Sequence, residues 1–383
     1  MNKIIPYGRQ EITDEDINAV VKVLKSDYLT QGPEIKKFEN LFAEYVGSKY
    51  AIAVSNGTAA LHLCVKALGF KNGKNVITSP NTFVASANCI KYNGGNVIFS
   101  DIDEKTFLID LNKIENLLSK SINKISGIIP VNFAGYPVDL EKLRKIADKY
   151  NLWIVEDACH SPGGYFIDSN KKNQKCGNGN YADLSIFSFH PVKHIACGEG
   201  GMITTNNKKL RDKILNLRTH GIQQNKKKLK RNDGLWYYEM HELGYNYRLT
   251  DIQSSLGISQ LSRAKIGIQK RIKIVNKYEE FFSDKSYIIS KPGLVNGHAY
   301  HLYVIQIENR NALHAFLRKN NIYCQIHYIP CHTMPYYQDL GYSYGDFPNS
   351  EKYYERCLSL PIYPSLSNDE QDFVLNKINE FFS

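Results

Sequence analysis

The sequence predicts an α/β protein with a large, mostly parallel sheet followed by a smaller C-terminal α/β unit. Three observations predict it. Over the first 250 residues, short apolar runs rich in Val, Ile and Phe alternate with stretches of helical spacing. Strands that alternate with helices pair in parallel through right-handed crossovers. The length of 383 residues suits two units, a large one over residues 1–250 and a smaller one over 251–383. Apolar residues make up 43% and charged residues 22%, an ordinary globular balance with no internal repeat or low-complexity tract.

The elements follow in order. Buried strands are predicted at 50–55, 75–79, 96–102, 125–131 and 153–158, each bounded by Gly, Asn, Pro or Asp. Helical spacing fills the gaps at 59–68, 84–92, 111–118 and 140–150. Further strands are predicted at 182–189 and 202–205, then one long helix over 252–282. The small unit should hold strands at 301–307 and 323–327 and helices at 312–320 and 369–382.

Composition excludes several classes. No run of about 18 apolar residues exists, so no membrane span is expected. The first ten residues lack an apolar signal core, and a cytoplasmic location is the expectation. The eight cysteines form no CxxC pair and are scattered, which suits reduced thiols and neither a disulfide framework nor a metal site. The net charge of +10 is partly local, with Lys226, Lys227, Lys228, Lys230 and Arg231 crowding one polar stretch. No basic face with interleaved aromatics accompanies it, so no nucleic-acid partner is expected. That stretch reads as a solvated, mobile loop, or as one that attracts a small anion such as a nucleotide diphosphate.

Three local patterns carry chemistry. Ser55-Asn56-Gly57-Thr58-Ala59 joins a strand to a helix, where unpaired N–H groups and the helix dipole suit a phosphate. Thr58 as a plain helix cap is the competing reading. Glu156-Asp157-Ala158 ends an apolar strand, at the edge where open α/β sheets bind ligands. A buried acid there needs a positive partner such as a pyridinium nitrogen, or a set of backbone N–H groups. Ser188-Phe189-His190-Pro191-Val192-Lys193 places a lysine just past another apolar strand, with Gly198-Glu199-Gly200-Gly201 after it. A desolvated lysine becomes a neutral nucleophile, whereas a snorkelling one stays a surface cation.

Phosphate cradle, ring partner and Schiff-base lysine in that chain order resemble the sugar aminotransferases named for DegT, DnrJ, EryC and StrS. Leu29-Thr30-Gln31-Gly32, Thr82-Phe83-Val84-Ala85, Arg218-Thr219-His220-Gly221 and Gly244-Tyr245-Asn246-Tyr247-Arg248 extend the resemblance over nearly the whole chain. It implies the aspartate-aminotransferase-like fold type I and pyridoxal 5′-phosphate as cofactor. By that resemblance Lys193 holds the cofactor covalently and moves the protons. Asp157 would pair with the pyridine nitrogen. Thr58, Ala59 and Ser188 would bind the phosphate, and Phe83 would stack on the ring. His160 falls where many members carry Gln, and would stand near the ring hydroxyl. Asn246 would reach the phosphate of a neighbouring subunit, which implies a homodimer with shared sites.

Finer details are similar to the subgroup that uses L-glutamate to aminate C4 of UDP-linked 4-keto-6-deoxy-N-acetylhexosamines. They are the stretches at 6–10, 26–33, 301–303 and 325–330, and His190 and Glu199 where many relatives have Tyr and Asp. By that similarity Tyr7, Asp27, Tyr28, Leu29, Thr30, Asn56, Ser188, Asn246, Gln325, Ile326, His327 and Tyr328 would line the nucleotide-sugar pocket. Asn56-Gly57 departs from the Ser-Ala of some subgroup members. Read from the residues alone, Tyr323, Ile326 and Tyr328 suit an ordinary packed strand and His327 a structural histidine.

Overall fold

The computed structural model describes residues 4–70, 72–121, 125–231 and 233–383. A seven-stranded sheet organises them. Its strands are β1 (Tyr50–Val54), β2 (Asn75–Thr78), β3 (Asn96–Phe99), β4 (Ile125–Ile129), β5 (Trp153–Asp157), β6 (Leu184–Ser188) and β7 (Gly201–Thr205). They lie side by side in the order β1-β7-β6-β5-β4-β2-β3. All neighbours are parallel except β7, which runs antiparallel to both β1 and β6.

Alternate strand residues enter cores on opposite faces, as the two-residue period requires. Ile52 and Val54 join one cluster, with Ile186 and Ile203. Ala51 and Ala53 join another, with Phe187 and Met202. The apolar runs that predict the strands are thus buried on both faces. Gly127 in β4 is required by its neighbour, since a Cβ there would lie 2.1 Å from the Trp153 ring.

Helices flank the sheet: α1 (Asp14–Leu24), α2 (Pro33–Val46), α3 (Gly57–Ala67), α4 (Ala85–Tyr92), α5 (Leu111–Ser121), α6 (Leu140–Lys149) and α7 (Lys208–Arg218). The single helix predicted over 252–282 is two, α8 (Asp251–Ser262) and α9 (Ala264–Phe281). The break falls at Arg263, whose backbone leaves the helical region at φ −111° and ψ 8°. Its guanidinium caps the Glu11 carbonyl and pairs with Asp16, which is only 1% exposed and needs a cation. Packing of α8 on α1 and α2 is close, because Gly257 leaves no room for a Cβ beside the Phe38 ring.

In the C-terminal part β8 (Tyr303–Gln306) pairs antiparallel with β9 (Cys357–Leu360), covered by α10 (Arg310–Lys319) and α11 (Asn368–Phe382). The N-terminal Ile5–Pro6 pairs in parallel with Ile322–Tyr323, and Ile5 is buried in the same cluster as Ile305 and Val374. That pairing carries Tyr7 to the sheet's ligand edge. The strand predicted at 323–327 ends at Tyr323, and Gln325 makes only one bridge, to Ser359. Beyond it the chain turns inward, where Tyr353 donates to the His327 carbonyl. The Lys-rich stretch lies between the short strands Ile222–Gln223 and Glu239–Met240, which pair antiparallel. Glu239 holds it by accepting from the Lys230 and Arg231 N–H groups. No helix among the described residues is long and apolar enough to cross a membrane.

Candidate active site

The site forms beyond the C-terminal ends of β5 and β6 and at the turn from β1 into α3. In that turn Asn56 caps α3, its Oδ1 accepting from the Ala59 N–H at 2.8 Å. The first-turn N–H groups of Gly57 and Thr58 precede the helix's own bonds, and both residues line the cavity. Two close approaches fix this cradle. A Cβ on Gly57 would lie 3.1 Å from Ser188 Cβ, and one on Gly201 would lie 2.5 Å from the Asn56 carbonyl.

Asp157 ends β5 and is 5% exposed. Ser86 Oγ donates to its Oδ2 at 2.7 Å, and the Cys159 N–H donates to Oδ1 at 3.1 Å. Ser86 in turn shares a 2.9 Å bond with Thr82 Oγ1. Two donors leave about half of a carboxylate's four lone-pair sites for a ligand. The adjacent Glu156 faces the other way, satisfied by Asn132, Ser185 and the Gly177 N–H.

Lys193 sits in a turn past β6, its N–H bonded to the His190 carbonyl. Burial pushes its amine below the usual lysine range; Cys159 and Asp157 oppose the shift and Arg271 adds to it. The amine lies 3.4 Å from His301 Nε2. The His301 ring packs on His160 with centroids 4.3 Å apart, and His160 Nε2 meets the Tyr328 hydroxyl at 3.1 Å. Burial holds His160 and His301 well below the ordinary histidine range, and lowers His327 to about 3.

One cavity of about 620 Å³ gathers most of the expected residues: Tyr7, Asn56, Thr58, Phe83, Asp157, His160, Ser188, Lys193, Gln325, Ile326, His327 and Tyr328. Its size suits a cofactor together with part of a second ligand. Ala59 lies just behind the rim, its N–H committed to Asn56. Asp27, Tyr28, Leu29, Thr30 and Asn246 do not join the cavity. The 27–30 segment is tied to the start of α8, with Thr30 bridged to Thr250 and the Leu29 carbonyl accepting from Asp251. Tyr28 and Leu29 are exposed. Asn246 bridges to Thr219 instead. Sequence reasoning assigned no role to Ser86, Thr82, Cys159, His301 or Arg271. His301 lay in a quoted motif, but nothing in its spacing pointed to Lys193, 108 residues away.

The profile of the DegT/DnrJ/EryC1/StrS aminotransferase family matches residues 10–379. The chain belongs to that family. A UDP-4-amino-4,6-dideoxy-N-acetyl-β-L-altrosamine transaminase of Campylobacter jejuni is 37% identical over 379 residues, covering 97% of this chain and 96% of that protein. Helicobacter pylori PseC, an aminotransferase involved in the biosynthesis of pseudoaminic acid, superposes with a TM-score of 0.88 at 31% identity, covering 99% of both chains. The putative sugar aminotransferase Spr1654 of Streptococcus pneumoniae, in its PMP form, gives 0.90 at 28% identity, covering 98% of both chains. This DegT-family chain is therefore a sugar aminotransferase with the fold of the pyridoxal-phosphate aminotransferases, and pyridoxal phosphate is its cofactor.

Proposed function

We propose that this sugar aminotransferase moves an amino group from L-glutamate to C4 of a UDP-linked 4-keto-6-deoxy-N-acetylhexosamine, giving UDP-4-amino-4,6-dideoxy-N-acetyl-β-L-altrosamine for pseudaminic acid synthesis. The observation that carries this reading is the near full-length similarity to the Campylobacter transaminase. The cavity wall of Tyr7 and Gln325 to Tyr328 supports it, offering aromatic faces with a few polar groups.

The side chains present fit the cofactor. Asp157 has unspent acceptor capacity beside a hydroxyl and an N–H donor. The α3 cradle is kept open by two glycines where a Cβ would press on Ser188 or the Asn56 carbonyl. His160 Nδ1 is buried with no partner among the described residues. When bound, pyridoxal phosphate supplies an aldehyde that condenses with amines and a ring that stores an electron pair. Asp157 would hold the ring nitrogen protonated, with Ser86 and Thr82 keeping the carboxylate in place. Thr58, Ser188 and the first-turn N–H groups of α3 would hold the phosphate. Phe83, 57% exposed in the isolated chain, would cover the ring.

Lys193 Nζ would take the proton from the α-carbon of L-glutamate and, in the second half-reaction, return one to C4 of the sugar. Burial favours its neutral form, which is the form that accepts a proton. Because 2-oxoglutarate leaves before the keto sugar enters the same cavity, the kinetics should be ping-pong. Asp27, Tyr28, Leu29, Thr30 and Asn246 would act on the cavity of a second copy, so the working unit is a homodimer. The eight free cysteines, nearly all buried, suit the reducing cytoplasm in which this reading places the enzyme.

The test is a panel of nucleotide-linked 4-keto sugars incubated with L-glutamate and read by mass spectrometry. The UDP-linked N-acetyl sugar should gain the amino group fastest. Preference for a UDP-4-keto-arabinose or a GDP-4-keto sugar would overturn the substrate assignment.

A further inference from the structure

Of the histidines clustered around Lys193, His301 and His194 have no part in the reaction as described. His160 and His301 are each 4% exposed. His194 joins them, its ring 5.6 Å from that of His301 and its Nε2 bonded to the Ala299 carbonyl at 2.8 Å. Nδ1 of all three is buried with no partner among the described residues. No group of three histidine, cysteine or acidic side chains among those residues could hold a metal ion. Burying imidazoles this way is costly, which calls for a reason.

We propose that His301 is a positioning residue for Lys193. Its Nε2 accepts one hydrogen from the lysine amine, which fixes rotation about the last bond of the side chain and aims the lone pair at the reacting carbon. The inference rests on Lys193 being the covalent lysine. The 3.4 Å separation is long for a hydrogen bond, as such contacts often are before substrate binds. His301 is itself held from behind. The guanidinium of Arg271, 1% exposed, donates to the Tyr300 and His301 carbonyls at 3.2 Å each and to the Ile362 carbonyl at 2.9 Å. A buried cation whose acceptors among the described residues are backbone carbonyls is an expensive brace, and here it braces the backbone that carries the imidazole. The His160 ring packs on the other side. With its backbone held and its ring packed on His160, His301 presents Nε2 to Lys193.

The groups that face the amine are Asp157 and Cys159 at the end of β5, Arg271 from α9 and His301 itself. His160, His194 and His327 face it as well. Those facing His301 besides Lys193 are His160, His194 and Arg271. Burial, helped by these neighbours, keeps His301 neutral, and with its proton on Nδ1 the imidazole offers Nε2 as an acceptor at neutral pH.

The test compares His301→Phe, which keeps the ring packed on His160, with His301→Gln, which keeps a polar atom near the Nε2 position. In cofactor-free protein, trinitrobenzenesulfonate labelling of the Lys193 peptide is followed against pH. Loss of the acceptor should lower the pH midpoint of labelling in the Phe variant by about one unit, and Gln should restore it. With cofactor bound, the half-reaction with L-glutamate should slow by about 10²-fold in the Phe variant and recover to within about threefold in the Gln variant. KM for L-glutamate should stay level in both. Identical labelling profiles in all three proteins, or equal loss of cofactor and thermal stability in both variants, would overturn the proposal. Borohydride reduction of the wild-type holoenzyme separates this outcome from failure of the underlying reading, because it fixes the cofactor to Lys193 whether or not His301 guides the amine.

Discussion

Replacing Asp157 by Asn separates the acid's chemical role from any structural one. The carboxylate is 5% exposed and takes bonds from Ser86 Oγ and the Cys159 N–H. An amide keeps one acceptor, which the Cys159 N–H retains. The Ser86 hydroxyl can reverse, accepting from the new Nδ2 and donating to Thr82 Oγ1 at 2.9 Å. The folded cofactor-free protein should therefore lose less than about 1 kcal/mol. The amide cannot pair with a ring cation, and breaking a buried pair costs about 3–5 kcal/mol. At about 1.4 kcal/mol per factor of ten, cofactor retention and the glutamate half-reaction should each fall by about 10²-fold or more. Equilibrium dialysis and stopped-flow absorbance measure the two losses, and thermal unfolding of the cofactor-free protein measures the third quantity. An unchanged half-reaction would remove Asp157 from the chemistry. A Tm loss that tracks the activity loss would make it structural.

Three further outcomes follow. Gly201→Ala should weaken cofactor binding by dialysis while leaving Lys193 in place, because its Cβ would press on the Asn56 carbonyl that opens the α3 cradle. Mixing Lys193→Ala with Asn246→Ala protein under subunit exchange should restore about a quarter of wild-type activity if each site draws on two chains, since half the dimers carry one intact site; no recovery would confine Asn246 to its own chain. The cofactor-free protein should lose stability as pH falls from about 6.5 toward 4, because buried imidazoles whose folded pKa lies below the unfolded value bind fewer protons than the unfolded chain. Each contributes up to about 1.4 kcal/mol per pH unit in that window, so His327→Gln should flatten urea midpoints measured between pH 6.5 and 5.

The sheet was legible because strands buried on both faces write themselves as continuous apolar runs, as at Val76-Ile77 and Ile154-Val155. The Arg263 break was not legible, since the apolar period continues through it and the cause is Asp16, 247 residues away. Likewise Gln325 to Tyr328 alternate like a strand, but among the described residues they pair in a single isolated bridge, Gln325 to Ser359. In the site, Asn56, Asp157 and Lys193 could be read because each ends or closely follows an apolar run where a sheet presents its ligand edge. Ser86 and His301 could not, because their partners lie 71 and 108 residues away and hydroxyl or imidazole alone marks no chemistry. The segment 27–30 shows the opposite case: a motif that was legible, yet in one chain points away from the cavity.

The most direct measurement is borohydride reduction of the purified, cofactor-loaded protein, followed by peptide mapping. The account predicts one reduced pyridoxyl group per chain, on the peptide that contains Lys193, and a protein that loses its visible absorbance and its turnover together. A pyridoxyl group on another lysine, or none on any peptide while amination of the keto sugar continues, would contradict it.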